Sequence, residues 1–210
     1  MDALELLVGR ESATKLASPG PDQEALEKMF QSALRAPDHG RLRPWRFVVV
    51  RNPEQKKRLR GASFNQAKVE EASAVIVACG DADGWRNGDV EEMLRMGREG
   101  GMSESYAAQA QETIPNYLSN HPNLPMWLNR HVMIAFTHMM LTAETLGYDT
   151  APMEGFEEDK VHEVLKLPMS YHVVALLGIG HLEGADKHYG GRFDMARTVF
   201  SEEYGKPIKL

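Results

Sequence analysis

The sequence predicts an α+β fold in which a central mixed β-sheet is flanked by helices. Three short apolar runs carry that expectation: Trp45 to Val50, Ser73 to Cys79 and Tyr171 to Ile179, whose valine-rich composition fits strands buried on both faces. Between the second and third runs lies the most apolar helix candidate, Pro125 to Leu146, which leaves little room for a solvated face. The order of strand, long helix, strand-like turn, helix and strand places helices against a mixed sheet.

Taken in order, Asp2 caps a short helix carrying Leu4, Leu7 and Val8, and Gly9-Arg10-Glu11-Ser12 breaks it with polar groups able to meet an anion. Pro19 and Pro21 mark a boundary, after which Asp22 opens a helix whose Leu26, Met29, Phe30, Ala33 and Leu34 follow helical spacing. Pro37 and Pro44 cannot donate backbone hydrogen bonds, so this helix stops before Pro37 and a strand begins after Pro44. The loop between them holds Asp38, His39, Arg41 and Arg43 and is pinned by rigid elements at both ends, a natural place for a binding site.

Pro53 starts a helix rich in Lys and Arg, and Phe64 to Val69 leads into the second strand. From Gly80 to Pro125 apolar residues thin out, which predicts an excursion over the core. Tyr106, Ala110, Ile114 and Tyr117 keep helical spacing there, as expected of an amphipathic helix packed down by its aromatics. The helix from Pro125 carries Asn129, Arg130, His131, His138 and Glu144, too polar a set for a lipid-facing span. His131 and His138 share a face without a third ligand at metal spacing, so they read as hydrogen-bonded helix residues and no metal site is expected. Gly147 ends the helix, and a further helix from Glu157 to Leu167 turns Val161, Val164 and Leu165 inward. The residues after Leu182 form a polar extension, 183–210, with little core of its own, and are expected to pack on another subunit.

With 42% hydrophobic and 26% charged residues among 210, the chain can bury one substantial core, and a single domain over 1–210 is the simplest organisation. A net charge of -6 repels a phosphate backbone, which argues against a nucleic-acid partner. The first residues resemble neither a signal peptide nor a membrane anchor, so a cytoplasmic protein with no membrane partner is expected. Cys79 is the only cysteine and lies in an apolar strand, which excludes an internal disulfide and suggests buried filler. No nucleophile elbow, phosphate loop, His-Glu-x-x-His or dinucleotide fingerprint is present, so chemistry would come from a cofactor.

Five separated stretches, spanning nearly the whole chain, resemble the FMN-dependent nitroreductase family. Arg10-Glu11-Ser12 is similar to the family's Arg-x-Ser, which holds the flavin phosphate and ribityl chain. Ala36-Pro37-Asp38-His39 through Pro44-Trp45-Arg46-Phe47 resembles its Ala-Pro loop, which reaches the partner subunit's flavin and on this chain includes Arg41. Phe64-Asn65-x-x-Lys68 is similar to the segment that meets the pyrimidine edge of the ring, and Pro152-Met153-Glu154-Gly155-Phe156 to the run whose backbone N–H faces flavin N5. Arg192 matches the basic residue that closes on the phosphate.

The resemblance implies FMN as cofactor, NADH or NADPH as hydride donor, a homodimer with an exchanged C-terminal tail, and a nitroaromatic, quinone or similar flat acceptor. It assigns the chemistry to Lys68, Glu154 and Gly155, with Lys68 stabilising negative charge on the reduced ring, and the excursion over 80–125 would cover the active site. Arg41 and Arg43 stand where the family has Asn or Ser and then Gln, and Glu11 stands where a basic residue is common. Family members that dehalogenate, or that consume the flavin itself, remain within the resemblance. An alternative of another class is a non-catalytic binder that presents Arg35, Arg41, Arg43, Arg46 and Arg51 to an anionic partner.

Overall fold

A computed structural model describes residues 2–184 and 190–208. The sheet is built on β3 (Ala74–Asp81), which is buried at every position and lies between β2 (Trp45–Val50) and β5 (Tyr171–Leu182). The short β1 (Leu16–Ala17) and β4 (Asp149–Met153) both pair with β5. The helix-plus-sheet class is as expected, but all four described pairings are antiparallel, so the expected mixture of strand directions is absent among them. The cause lies in what an apolar run reports. It records that both faces of a strand are covered and says nothing of its neighbours' direction. Along β3, Ile76 and Ala78 join the core on one face, while Val75, Val77 and Cys79 join the core on the other.

The first face is covered by α2 (Gln23–Ala33) and α7 (Leu124–Thr145), with Met29, Ala33, Val132, Phe136 and Met139 at the contact. Asn123 accepts the Met126 N–H to start α7. Its end is closed by Gly147 at φ 85°, where Gly147 N–H donates to Glu144 O and Tyr148 N–H to Ala143 O, a glycine-dependent termination. The second face is covered by α3 (Pro53–Ala62), α4 (Ala67–Glu71) and α8 (Glu158–Leu165) through Leu59, Val69 and Val161.

The excursion contains two helices, α5 (Asp89–Glu99) and α6 (Glu104–Ser119), which share a third cluster with Leu42 of the loop and Trp127 and Leu128 of α7. Its packing differs from the expected one. Ala107, Ala110, Ile114 and Leu118 are buried on α6, whereas Tyr106 and Tyr117 are exposed; each tyrosine stands one position before a residue of the buried stripe, which turns its ring away from it. Helix α1 (Ala3–Gly9) buries only Leu6 and leaves Leu4, Leu7 and Val8 in solvent. Residues 190–208 add one turn, Met195–Arg197, and an isolated bridge between Phe200 and Pro207, with Phe193, Met195 and Tyr204 exposed. No helix among the described residues is long and apolar enough to cross a membrane.

Candidate functional site

Strand β4 is the hub that brings three of the five stretches together. At its start the chain after Arg10 runs alongside, with Ala13 N–H donating to Thr150 O at 2.9 Å. Beyond its end, Gln66 Nε2 donates to Gly155 O at 2.6 Å and Glu157 N–H to Ala62 O at 2.8 Å, which draws the segment around Asn65 and Lys68 to the Pro152–Phe156 run. Along β4, Ala151 and Met153 join the core on one face, Thr150 is buried on the other against Glu144, and Pro152 is exposed. Met153 was expected at the cofactor, but its side chain is packed in the core with its Cε close to Gly178, so only its backbone is available to a ligand. Glu154 is exposed and Gly155 half-buried just beyond it.

Arg10 lines a cleft of about 540 Å³ with Glu5, Leu6, Gly9, Glu11, Ala13, Glu144 and Asp149. Its Nη1 is buried and finds no hydrogen-bond partner among the described residues. A buried donor left unsatisfied is costly, and the usual resolution is a ligand or water. Ser12 and Glu11 are exposed beside it. Glu144 accepts from Thr150 Oγ1 at 2.5 Å, and its carboxyl is held above the usual range. Burial is the main cause, opposed by the Thr150 hydrogen bond and the Arg10 charge and reinforced by Asp149. At the opposite end of β4, Phe64 and Asn65 adopt left-handed backbone in succession (φ 51° and 57°) and turn the chain so that α4 begins at the site. Lys68, in the first turn of α4, is half-buried and makes no ion pair among the described residues.

The loop from Pro37 to Arg43 is not joined to this cluster. It packs against α5 and α6, with Leu42 in their core and the His39 ring 5.2 Å from that of Tyr117. The Asp38 carboxylate accepts the Arg43 N–H at 2.6 Å through one oxygen and holds a turn that places Gly40, Arg41 and Arg43 at positive φ. Pro37 and Arg41 are exposed, and Arg41 lines two clefts, one mainly apolar beside β2 and one beside the Gly97–Ser103 turn. Arg192 is exposed on the tail. The excursion therefore covers the loop of its own chain rather than the end of β4.

The basic patch imagined for a binding protein is dispersed. Arg46 is bound to Asp89 and Asp81, Arg51 donates to Pro21 O, and their attachment points are about 16 Å apart along an extended strand. His131 Nδ1 lies 2.7 Å from Trp127 O and His138 Nδ1 3.3 Å from Ser32 O, hydrogen-bonded as the sequence suggested. Gln66 and the place of Glu144 beside Arg10 had no reading in the sequence, and the Asp81 and Asp89 partners of Arg46 had none either. Gln66 sat in plain view between Asn65 and Lys68, but the reach to Gly155, 89 residues away, has no sequence signal.

A fold of this order, with its N-terminal Arg-x-Ser, a left-handed Phe-Asn turn and a Pro-x-x-Gly run meeting at one strand, defines a class, and the chain belongs to it: the nitroreductase family, whose model matches residues 7–181. Among its relatives is an NADH dehydrogenase of Thermus thermophilus, 30% identical over 209 residues and covering 95% of each chain. Another is YdgI of Bacillus subtilis, named for NAD(P)H nitroreductase activity, 32% identical over 202 residues and covering 90% of this chain and 91% of that one. A solved structure from Exiguobacterium sibiricum, a complex with FMN, superposes with a TM-score of 0.84 at 27% identity over 96% of this chain and 98% of that one. The Bacillus subtilis ydfN structure has the same fold at a TM-score of 0.87 and 24% identity, covering 94% and 97% of the two chains.

Proposed function

We propose that this chain is an FMN-dependent oxidoreductase that takes hydride from NADH or NADPH and delivers it to a flat acceptor such as a nitroaromatic or a quinone. The observation that carries the reading is the buried, unpartnered Nη1 of Arg10 in a family member whose β4 also gathers Asn65, Lys68 and Gly155. These residues fit the cofactor. Arg10 supplies a forked donor for a phosphate, Ser12 a hydroxyl next to it in sequence, and Lys68, which makes no ion pair among the described residues, an ammonium on the segment that Gln66 ties to Gly155. Glu11, Glu144 and Asp149 oppose a dianion in the same cleft, which leaves room for a second cation, and Arg192 of the tail is our candidate. Bound FMN supplies the hydride chemistry; the chain binds it, orients it and offers positive charge where the ring becomes anionic.

The working unit of this proposal is a cytoplasmic homodimer. Its support is the apolar surface that one chain leaves in water: Leu4, Leu7 and Val8 on α1, and Phe193, Met195 and Tyr204 on the tail. In that dimer the Pro37 to Trp45 loop, which lies apart from β4 in its own chain, serves the other subunit's flavin, and Arg41 and Arg43 favour anionic acceptors. Purified protein should be yellow with a flavin spectrum, should under anaerobic conditions oxidise more than one NADH or NADPH per flavin only when an acceptor is added, and should sediment as a dimer. A truncation after Leu182 should lose both FMN and the dimer. A colourless protein that refuses added FMN would overturn the proposal.

A further inference from the structure

On the flavin reading above, we infer that Gln66 is a positioning residue that sets the donor face of the site by holding the Gly155 carbonyl. The last ladder pairing of β4 joins Met153 to Leu176, so the backbone from Glu154 onward leaves the sheet without a partner strand. Such a segment keeps its peptide orientations only if other groups hold them. Two bonds do so. Glu157 N–H to Ala62 O acts beyond Phe156, and Gln66 Nε2 to Gly155 O acts on the peptide between Gly155 and Phe156 itself. Gly155 has no Cβ to limit its rotation, so that peptide is oriented by Gln66.

The hydrogen-bond inventory at this turn is one-sided. The Gly155 carbonyl is engaged, while the N–H groups of Glu154, Gly155 and Phe156 have no partner among the described residues. A turn in that state offers a ligand donors and withholds its acceptor, the arrangement suited to an electron-rich ring edge. Gln66 is aimed by the left-handed pair Phe64 and Asn65, a conformation that residues with a Cβ adopt only at a cost. The fit is close: a Cβ on Gly155 would meet Gln66 Nε2 at 2.9 Å and Phe64 Cδ2 at 3.5 Å. A methyl group there would push the amide off the carbonyl. Glycine at 155 and glutamine at 66 therefore act as one unit.

The test compares Gln66→Ala, Gln66→Glu and Gly155→Ala with wild type, first without flavin and then loaded with FMN. Glutamate keeps the size but as a carboxylate cannot donate, so it should match or exceed the alanine defect. In the unloaded protein, the Glu157 amide, whose bond to Ala62 O closes the turn, should exchange about tenfold or more faster in all three variants, with exchange in β3 unchanged. With FMN bound, the visible flavin bands should shift and reduction by NADH or NADPH should slow by about tenfold, while the FMN dissociation constant moves by no more than about threefold. The double variant Gln66→Ala with Gly155→Ala should be no worse than the more affected single one. Faster exchange with wild-type flavin bands and reduction rate would make Gln66 a purely structural tie and overturn the inference, as would unchanged exchange. A wild-type chain that takes up no FMN would overturn the flavin reading and this role with it; it is told apart by the absence of colour.

Discussion

Replacing Arg46 with Met should destabilise the protein by about 2–3 kcal/mol and loosen the excursion from the sheet. Arg46 leaves β2 to bind both carboxylate oxygens of Asp89 at the start of α5, at 2.9 and 2.8 Å, and reaches Asp81 at the end of β3 at 3.2 Å. Its Nη1 also donates to the carbonyls of Arg43 and Trp45, each at 3.1 Å. Burial is the largest single influence on the guanidinium and works against its charge, yet Asp89 and Asp81 hold its pKa above the usual value. Stripping one partner from a fully buried pair costs about 3–5 kcal/mol, and an exposed pair is worth about 0–1 kcal/mol. With the side chains of Arg46, Asp89 and Asp81 at 29%, 25% and 9% exposure, the loss should fall between these limits. At roughly 2–4 °C per kcal/mol for a chain of this size, Tm should drop by about 5–10 °C. Urea denaturation gives the free energy, and amide exchange should show α5 opening before β3. Adding Asp89→Asn to Arg46→Met should recover about 1 kcal/mol, because the stranded carboxylate is then neutral. A loss below about 0.5 kcal/mol with α5 protection intact would refute the reasoning and make the contact a solvated surface pair.

Arg10→Ala should weaken FMN binding by about 1.5–3 kcal/mol, the range for hydrogen bonds to a charged group, and flavin titration reads it directly. Lys68→Met, similar in length but neutral, should lower the potential of bound flavin and slow its reduction by NADH or NADPH; a wild-type potential would shift the role to Asn65 or the backbone. Glu144→Gln tests a pH dependence. Burial holds this carboxyl above its unfolded value, so its contribution is intact at pH below the unfolded carboxylate range and is lost as pH rises through the folded value. The glutamine variant, whose amide oxygen can still accept from Thr150, should therefore gain stability relative to wild type as pH rises across that window, measured as Tm against pH. Gly80→Ala should cost about 1–3 kcal/mol, because the new Cβ would sit 2.8 Å from the Leu128 Cβ and force β3 and α7 apart.

Much of this protein is local, and what is local was legible. The helices announced themselves through Asp22 and its apolar spacing, through Pro125 in the first turn of α7 and through Gly147 at its end, because caps and periodicity act within one or two turns. Double burial of β3 could be read from its apolar run, and the resemblance of Arg10-Glu11-Ser12, Phe64-Asn65 and Pro152 to Phe156 needed only short spacing. What remained hidden is long-range. The antiparallel direction of every described pairing follows from chain routing, which side-chain composition does not encode. Tyr106 and Tyr117 keep helical spacing whether they face the core or water, and only the packing of α6 chose the neighbouring stripe of Ala107, Ala110, Ile114 and Leu118 for burial. Arg46 read as one cation among several until Asp81 and Asp89 met it, and the turn that Asp38 holds through the Arg43 N–H had no signal in the sequence. Met153 is committed to the core by pleat register, since a strand sends alternate side chains to opposite faces. Gln66 and Gly155 are 89 residues apart and touch only because β4 and α4 are fixed by the same sheet and core. A hydrogen bond between distant residues leaves no mark on the sequence around either one, so the residue types at the site could be named in advance, and their partners only once the chain had folded.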